Sequence, residues 1–514
     1  MLFNSYGFIF AYLPITLIVF FALGKKNNFI ASIWLTAASF VFYGWWNPSF
    51  VALLVLSIVF NFTIGSILAR LSSLIYSKHT NILLFIGVLV NISLLSYYKY
   101  TNFFIANFNG VFGTEYCLQE IILPIGISFF TFTQIAFLVD ASRGLASEYN
   151  FINYCLFVTY FPHLIAGPIL HHKEMMPQFS SVDTYKLHYD NISIGMTLFI
   201  VGLFKKVLLA DNASIYATPV FEAAEKGVYV TSLEAWGGAL SYTLQLYFDF
   251  SGYTDMAIGA SRMFGVNLPI NFNSPYKANS IIDFWRRWHM SLSRFLRDYI
   301  YIPLGGNRSG KTRRYINLML TMLLGGLWHG ANITFLIWGG LHGIYLIINH
   351  AWRRIYHWLG YRSENHSLLY KIACRIITFI AVVFAWVFFR SNSLNSAIII
   401  IKGMLGMNGT LLPITWIENS ENNPFIHWLL SHGLKSTIDN TLSSAGPELR
   451  LIAILLFICW VLPNTSELFL LDRRTFNYNW TWKPNLYWLT ISIVMGFWSI
   501  LSLSEMSEFI YFQF

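Results

Sequence analysis

The chain has 514 residues, 56% of them apolar and only 11% charged, and a formal net charge of +9. Soluble domains carry about 25% charged residues, so this composition excludes a water-clothed globule and places the chain in a bilayer. The basic excess does not point to nucleic acid, because the cytoplasmic loops of membrane proteins are biased to Lys and Arg.

An apolar segment over 7–24 comes first. It lacks a basic leader and a small-residue cleavage site, and so reads as a retained span and not a signal peptide. From Asn27 to Ala69 there is no Lys, Arg, Asp or Glu. About 20 apolar residues cross the hydrocarbon, so this run holds two spans. Trp45-Trp46-Asn47-Pro48 joins them as an interfacial turn, with a proline breaker and an aromatic belt. Further segments are predicted over 80–98, 121–139, 192–204, 236–260, 316–334, 335–349, 376–389, 450–463 and 486–503. The length rule gives roughly ten to thirteen membrane segments, the shorter or Gly- and Pro-interrupted ones being re-entrant. Lys25 and Lys26 follow the first span, and Arg70 and Lys78 the third. These belong in the cytoplasm by the positive-inside rule, which leaves the N-terminus extracytoplasmic.

The fold class is therefore an all-α polytopic membrane protein, a single domain over 1–514. It comprises N-terminal spans (1–110), a motif-bearing core (120–345) and C-terminal spans (370–514). The longest polar stretches, 171–190 and 407–448, are loop-length. Cys117, Cys155, Cys374 and Cys459 are scattered without ligand spacing and read as small buried hydrophobes. No acid or cysteine completes a metal site with His163, His171 and His172, so none is expected there.

Ionisable groups inside membrane segments are costly and mark candidate sites. Asp249 and Asp255 lie in an apolar stretch, six residues apart. That spacing is about 600° around a helix and puts them on different faces. The simplest reading pairs each with an arginine of a neighbouring segment. Next comes a basic block: Arg286, Arg287, Arg294, Arg297, Arg308, Lys311, Arg313 and Arg314, with Asp298 the one acid among them. Its interleaved aromatics suit an amphipathic helix at the cytoplasmic interface. Such a block meets either lipid headgroups or the phosphates of an acyl donor, which guanidinium forks match.

The third cluster is Leu327-Trp328-His329-Gly330-Ala331-Asn332, followed by Leu341-His342-Gly343. Each histidine is either a packing residue or a general base able to take a hydroxyl proton. Thirteen residues of continuous helix would hold the two about 20 Å apart, so they do not form a simple pair. Asn332, near His329, is a candidate for orienting it.

In these clusters the sequence resembles the membrane-bound O-acyltransferase superfamily, in its bacterial branch of alginate and peptidoglycan O-acetyltransferases. The similarity extends over nearly the whole chain. It includes Met1-Leu-Phe-Asn-Ser-Tyr-Gly-Phe, Pro124-Ile-Gly-Ile-Ser-Phe-Phe, Tyr160-Phe-Pro-His-Leu-Ile-Ala-Gly-Pro168, the Asp249 cluster, Trp285 to Arg308 and Trp328-His329-Gly330. The resemblance implies helices ringed around a tunnel, with His329 as the catalytic histidine and His289 as the second polar residue. His342 matches a recurrent Leu-His-Gly. It further implies a bacterial inner-membrane enzyme without a bound cofactor. Acetyl-CoA or an acyl-carrier thioester would serve as co-substrate on the cytoplasmic side, and an extracytoplasmic esterase-like protein and a polysaccharide would act as partners. His329 would then take the acceptor proton while His289 polarises the thioester carbonyl. The rival reading is a transporter or flippase with Asp249 and Asp255 on an ion path.

Overall fold

The computed structural model describes residues 1–72, 78–148, 150–308, 310–360, 367–409, 446–469 and 481–504, and the short stretches 411–412, 431, 435–436, 471 and 509–510. Most of the polar stretch 407–448 lies outside the described residues. The regular structure among the described residues is helical, apart from a two-residue parallel pairing of Leu411–Leu412 with Lys435–Ser436.

The apolar opening forms a helix over Phe8–Gly24, whose regular part is α1 (Leu13–Gly24). α2 (Asn28–Gly44) and α3 (Ser49–Ser72) flank the Trp45–Pro48 turn where the proline breaker requires it. Asn27 starts α2 by accepting hydrogen bonds from the backbone N–H groups of Phe29 and Ile30. α4 (Lys78–Phe112) follows, then α5 (Ile127–Ser142). α5 starts six residues later than the segment expected over 121–139, after Gly126 at φ 73°. α3 and α4 are joined by reciprocal amide bonds between Asn61 and Asn91, at 3.2 and 2.7 Å.

α6 (Phe151–Thr159), α7 (Phe161–Leu164) and α8 (His172–Ser180) are too short to span a bilayer. α9 (Tyr189–Phe204) does not stop where the sequence pattern does. It runs through a wide π-helical turn, Lys205–Ala210, into α10 (Asp211–Glu225). α11 (Ser232–Met263) opens with a capping box between Thr231 and Glu234 and is buried along nearly its whole length. α12 (Ile281–Trp285) and α13 (Met290–Leu296) are short. α14 (Lys311–His329), α15 (Ile333–Trp358), α16 (Leu368–Arg390) and α17 (Leu394–Met404) come next, and helices Gly446–Trp460 and Leu486–Leu501 end the described chain. Five helices are long and apolar enough to cross a membrane and five more are apolar but shorter, among the described residues.

α11 is the central pillar, packed against α9, α10, α16 and α17. Its contact with α9 is backbone on backbone. A Cβ on Gly202 would sit 2.6 Å from the Gly252 carbonyl, and one on Gly195 2.6 Å from the Gly259 carbonyl. Only glycine permits that approach. The close fit brings the π turn against the acids of α11. Lys206 Nζ lies 2.7 Å from Asp249 and 2.8 Å from Asp211, and Lys205 Nζ lies 2.7 Å from Asp255. The partners are thus consecutive lysines and not the expected arginines, because the wide turn aims both ammonium groups at one helix. Asp249 also accepts from Ile510 N–H, and Asp255 from Thr465 Oγ1. Cys155 and Cys459 are buried as expected, whereas Cys117 is exposed.

Two stability measurements follow. Gly252→Leu forces α9 and α11 apart, at a cost of about 1–3 kcal/mol or more. Asp255→Ala removes one member of a buried pair, at a cost of about 3–5 kcal/mol. Both variants are expected to lower the thermal unfolding midpoint of the purified chain in detergent, read by size-exclusion after heating. An unchanged midpoint would show that the contact in question contributes nothing.

Candidate active site

The hinge of the site is the end of α14. Gly330 is extended at φ −164°, so the helix stops at His329. Asn332 then starts α15, accepting from Thr334 N–H at 3.1 Å. Its Nδ2 donates to the Asn392 carbonyl at 2.6 Å. The recorded bonds of Asn332 therefore hold the loop together and do not reach His329. α14 and α15 fold back on each other as a hairpin. Gly326 and Gly339 lie against the partner backbone, where any side chain would meet the carbonyls of Phe335 and Met322.

This hairpin overturns the helix arithmetic for the two histidines. The predicted segments 316–334 and 335–349 divide between residues 334 and 335, whereas the chain turns earlier, at Gly330–Asn332, and His342 lies back alongside α14. Trp338 stands between the two imidazoles, 5.1 Å from the ring of His329 and 4.9 Å from that of His342. His342 Nδ1 accepts from Trp285 Nε1 at 3.3 Å, and its ring stacks on Phe284.

His289 reaches the same place from the loop between α12 and α13. Its backbone is left-handed, at φ 43°, a conformation uncommon for residues other than glycine. The turn is held from both sides. Met290 N–H donates to the Asn271 carbonyl at 3.0 Å, and Ser291 Oγ donates to Asn271 Oδ1 at 2.6 Å. Ile169 N–H in turn donates to Ser291 Oγ. The rings of His289 and His329 have their centroids 6.5 Å apart and their planes inclined at 56°. Both are buried, at 0% and 4% exposure, among Phe250, Trp328, Trp338 and Phe389.

Cavities approach from either end of α14. One, of about 850 Å³, runs along its N-terminal half past Leu318, Thr321 and Met322, and reaches Met290 and Ser291 beside His289. Arg286, Arg294 and Arg297 line it. The other, of about 300 Å³, lies beyond the C-terminus, lined by Gly330, Asn332 and Phe389. Lys99 of α4 enters this second wall, its Nζ donating to the carbonyls of Trp328 and His329. The expected span 80–98 ended one residue short of it. A lone cation inside a 34-residue apolar helix was the signal that could have found it.

The basic block is divided in its roles. Arg287 is 2.9 Å from Asp283, Arg294 is bidentate to Glu174 at 2.6 and 3.1 Å, and Arg297 is 2.7 Å from Asp298. Arg308 is exposed. Arg286 stands in the wall shared by the 850 Å³ cavity and an adjoining one of about 600 Å³, which also contains Arg353 and Lys371. Asp249 and Asp255 face the lysines of the π turn. It is Phe250, between them, whose ring touches His289. His163, His171 and His172 bond separately, to the Phe157 carbonyl, to Tyr299 Oη and towards Glu148.

Comparison with known proteins identifies the family. The model of the MBOAT, membrane-bound O-acyltransferase, family matches residues 40–398. The chain is 41% identical to the peptidoglycan O-acetyltransferase of Helicobacter pylori, over 100% of this chain and 98% of that one. It is 43% identical to a probable alginate O-acetylase of Pseudomonas syringae, over 77% of this chain and 74% of the other. A teichoic acid D-alanyltransferase of Streptococcus thermophilus is 28% identical over 46% of this chain and 59% of its own. With paired buried histidines at the centre and apolar helices around them, the chain belongs to the membrane-bound O-acyltransferase family, in the branch of the alginate and peptidoglycan O-acetyltransferases.

Proposed function

We propose that this multi-pass enzyme is an O-acetyltransferase that moves an acetyl group from a cytoplasmic thioester, acetyl-CoA or an acyl carrier, to a cell-envelope polysaccharide of the peptidoglycan type. The observation that carries the reading is the buried His289–His329 pair between two cavities at opposite ends of one helix. Peptidoglycan is favoured over alginate because similarity to the Helicobacter protein extends over the full length of both chains, whereas the alginate-type relative is matched over three quarters.

The geometry supports the following chemistry. The donor occupies the 850 Å³ cavity, its phosphates near Arg286, and its thioester carbonyl reaches His289. The acceptor hydroxyl comes through the 300 Å³ cavity to His329. His329 takes the hydroxyl proton as oxygen attacks the carbonyl, and His289 supports the oxyanion. The new ester C–O bond forms as the C–S bond breaks, and the thiolate leaves on the cytoplasmic side carrying the electron pair. Closely packed aromatics around both imidazoles keep water from the thioester.

This reading places the enzyme in a bacterial inner membrane with the N-terminus outside, and gives it a separate extracytoplasmic esterase-like protein as partner. The transporter reading loses its main support, since each acid assigned to an ion path is held by a lysine.

The test is the acetyl ester content of peptidoglycan, measured as base-released acetate, with membrane levels matched by blotting. His329→Ala is expected to lower it about 10²- to 10⁴-fold, the range of general-base catalysis. His289→Ala is expected to lower it about 10²- to 10³-fold, as for the loss of an oxyanion donor. Unchanged esters in His329→Ala at equal abundance would sink the assignment.

A further inference from the structure

Lys99 lies in an apolar helix, where an ionisable side chain is costly and rarely accidental. Its Nζ donates to the Trp328 carbonyl at 2.5 Å and to the His329 carbonyl at 3.1 Å. Its neighbour Tyr100 donates through Oη to the Leu327 carbonyl at 2.7 Å. The last carbonyls of a helix have no partner within it. The common remedy, a left-handed glycine just past the end, is absent here because Gly330 is extended. Three successive carbonyls at the end of α14 are instead bonded by side chains of α4. A cation there also matches the negative end of the helix dipole.

We infer that Lys99 is a positioning residue for acyl transfer, its ammonium clamping the last turn of α14 and so fixing His329 against His289. The inference rests on the acyl-transfer reading above. Two bonds from one ammonium restrain both the rotation and the tilt of that turn. Tyr100 holds only the carbonyl before it. Without Lys99 the turn is free to relax toward the adjoining 300 Å³ cavity, whose wall includes Lys99 and Gly330. A shift of about 1 Å in a catalytic group costs on the order of 10²-fold in rate.

The experiment uses the full chain in cells, with acetyl ester formation expressed per folded molecule after matching abundance and unfolding midpoint. Lys99→Met is expected to lower it roughly 10- to 100-fold. Lys99→Arg, which keeps a long cation with several donors, is expected to recover to within about threefold of wild type. Where Lys99→Met does not accumulate, Lys99→Gln replaces it. Its amide reaches one carbonyl, and an intermediate rate is expected. Wild-type ester formation per folded molecule in Lys99→Met or Lys99→Gln would overturn the inference, as would Lys99→Arg no better than Lys99→Met. His329→Ala run in parallel separates the two claims. Esters retained in that variant would defeat acyl transfer itself, whereas esters lost there and kept in Lys99→Met would defeat only the clamp.

Discussion

Hydrocarbon offers no hydrogen-bond partners, so each polar group inside the bilayer must find one within the chain. Much of this molecule is arranged around that constraint. Asn61 and Asn91 satisfy each other between α3 and α4. Lys205 and Lys206 neutralise the acids of α11, and Lys99 satisfies the end of α14. Lipid tails give helices little hydrophobic reason to associate, so small residues and such polar contacts carry much of the packing. The glycines of α9 and α11 serve that packing by letting the backbones touch.

The same constraint explains why chemistry is concentrated in so small a volume. A histidine pair and four aromatic walls meet where α14 stops, with one cavity just beyond that end and the other reaching Met290 and Ser291 beside His289. Helix ends are the natural place for it, because they bring backbone groups and side chains to one point without exposing either to lipid. The left-handed turn at His289 is a second such end, held by Asn271 and Ser291. Strain of this kind persists where the surrounding bonds over-determine the backbone, as they do here.

Much of this was legible in the sequence. The all-α class, the Trp45–Pro48 turn and the candidacy of His329 and His342 could be read from hydropathy, proline placement and polar residues too costly to be incidental, whereas His289 came only from the resemblance to the family. What could not be read depends on the third dimension. The expected break between residues 334 and 335 falls a few residues beyond the true turn at Gly330–Asn332, and counting thirteen residues of continuous helix set His329 and His342 a helix length apart when one tryptophan spans between them. The partners of Asp249 and Asp255 were hidden because Lys205 and Lys206 fall just beyond an apparent span, and only the π turn carries them inward. Asn332 resembled an orienting residue by proximity in sequence, yet its bonds go to the start of α15 and to Asn392.

The seam between α9 and α11 has a mechanical consequence. Its glycines repeat every seven residues on both helices, at 195 and 202 and at 252 and 259. The next register in which the notches would again coincide is therefore a full heptad away, roughly 10.5 Å of travel. Any such slip would also strip both carboxylates from their lysines. The seam behaves as a keyed joint with one seated position, so movements that admit donor and release product fall to the helices around this pillar.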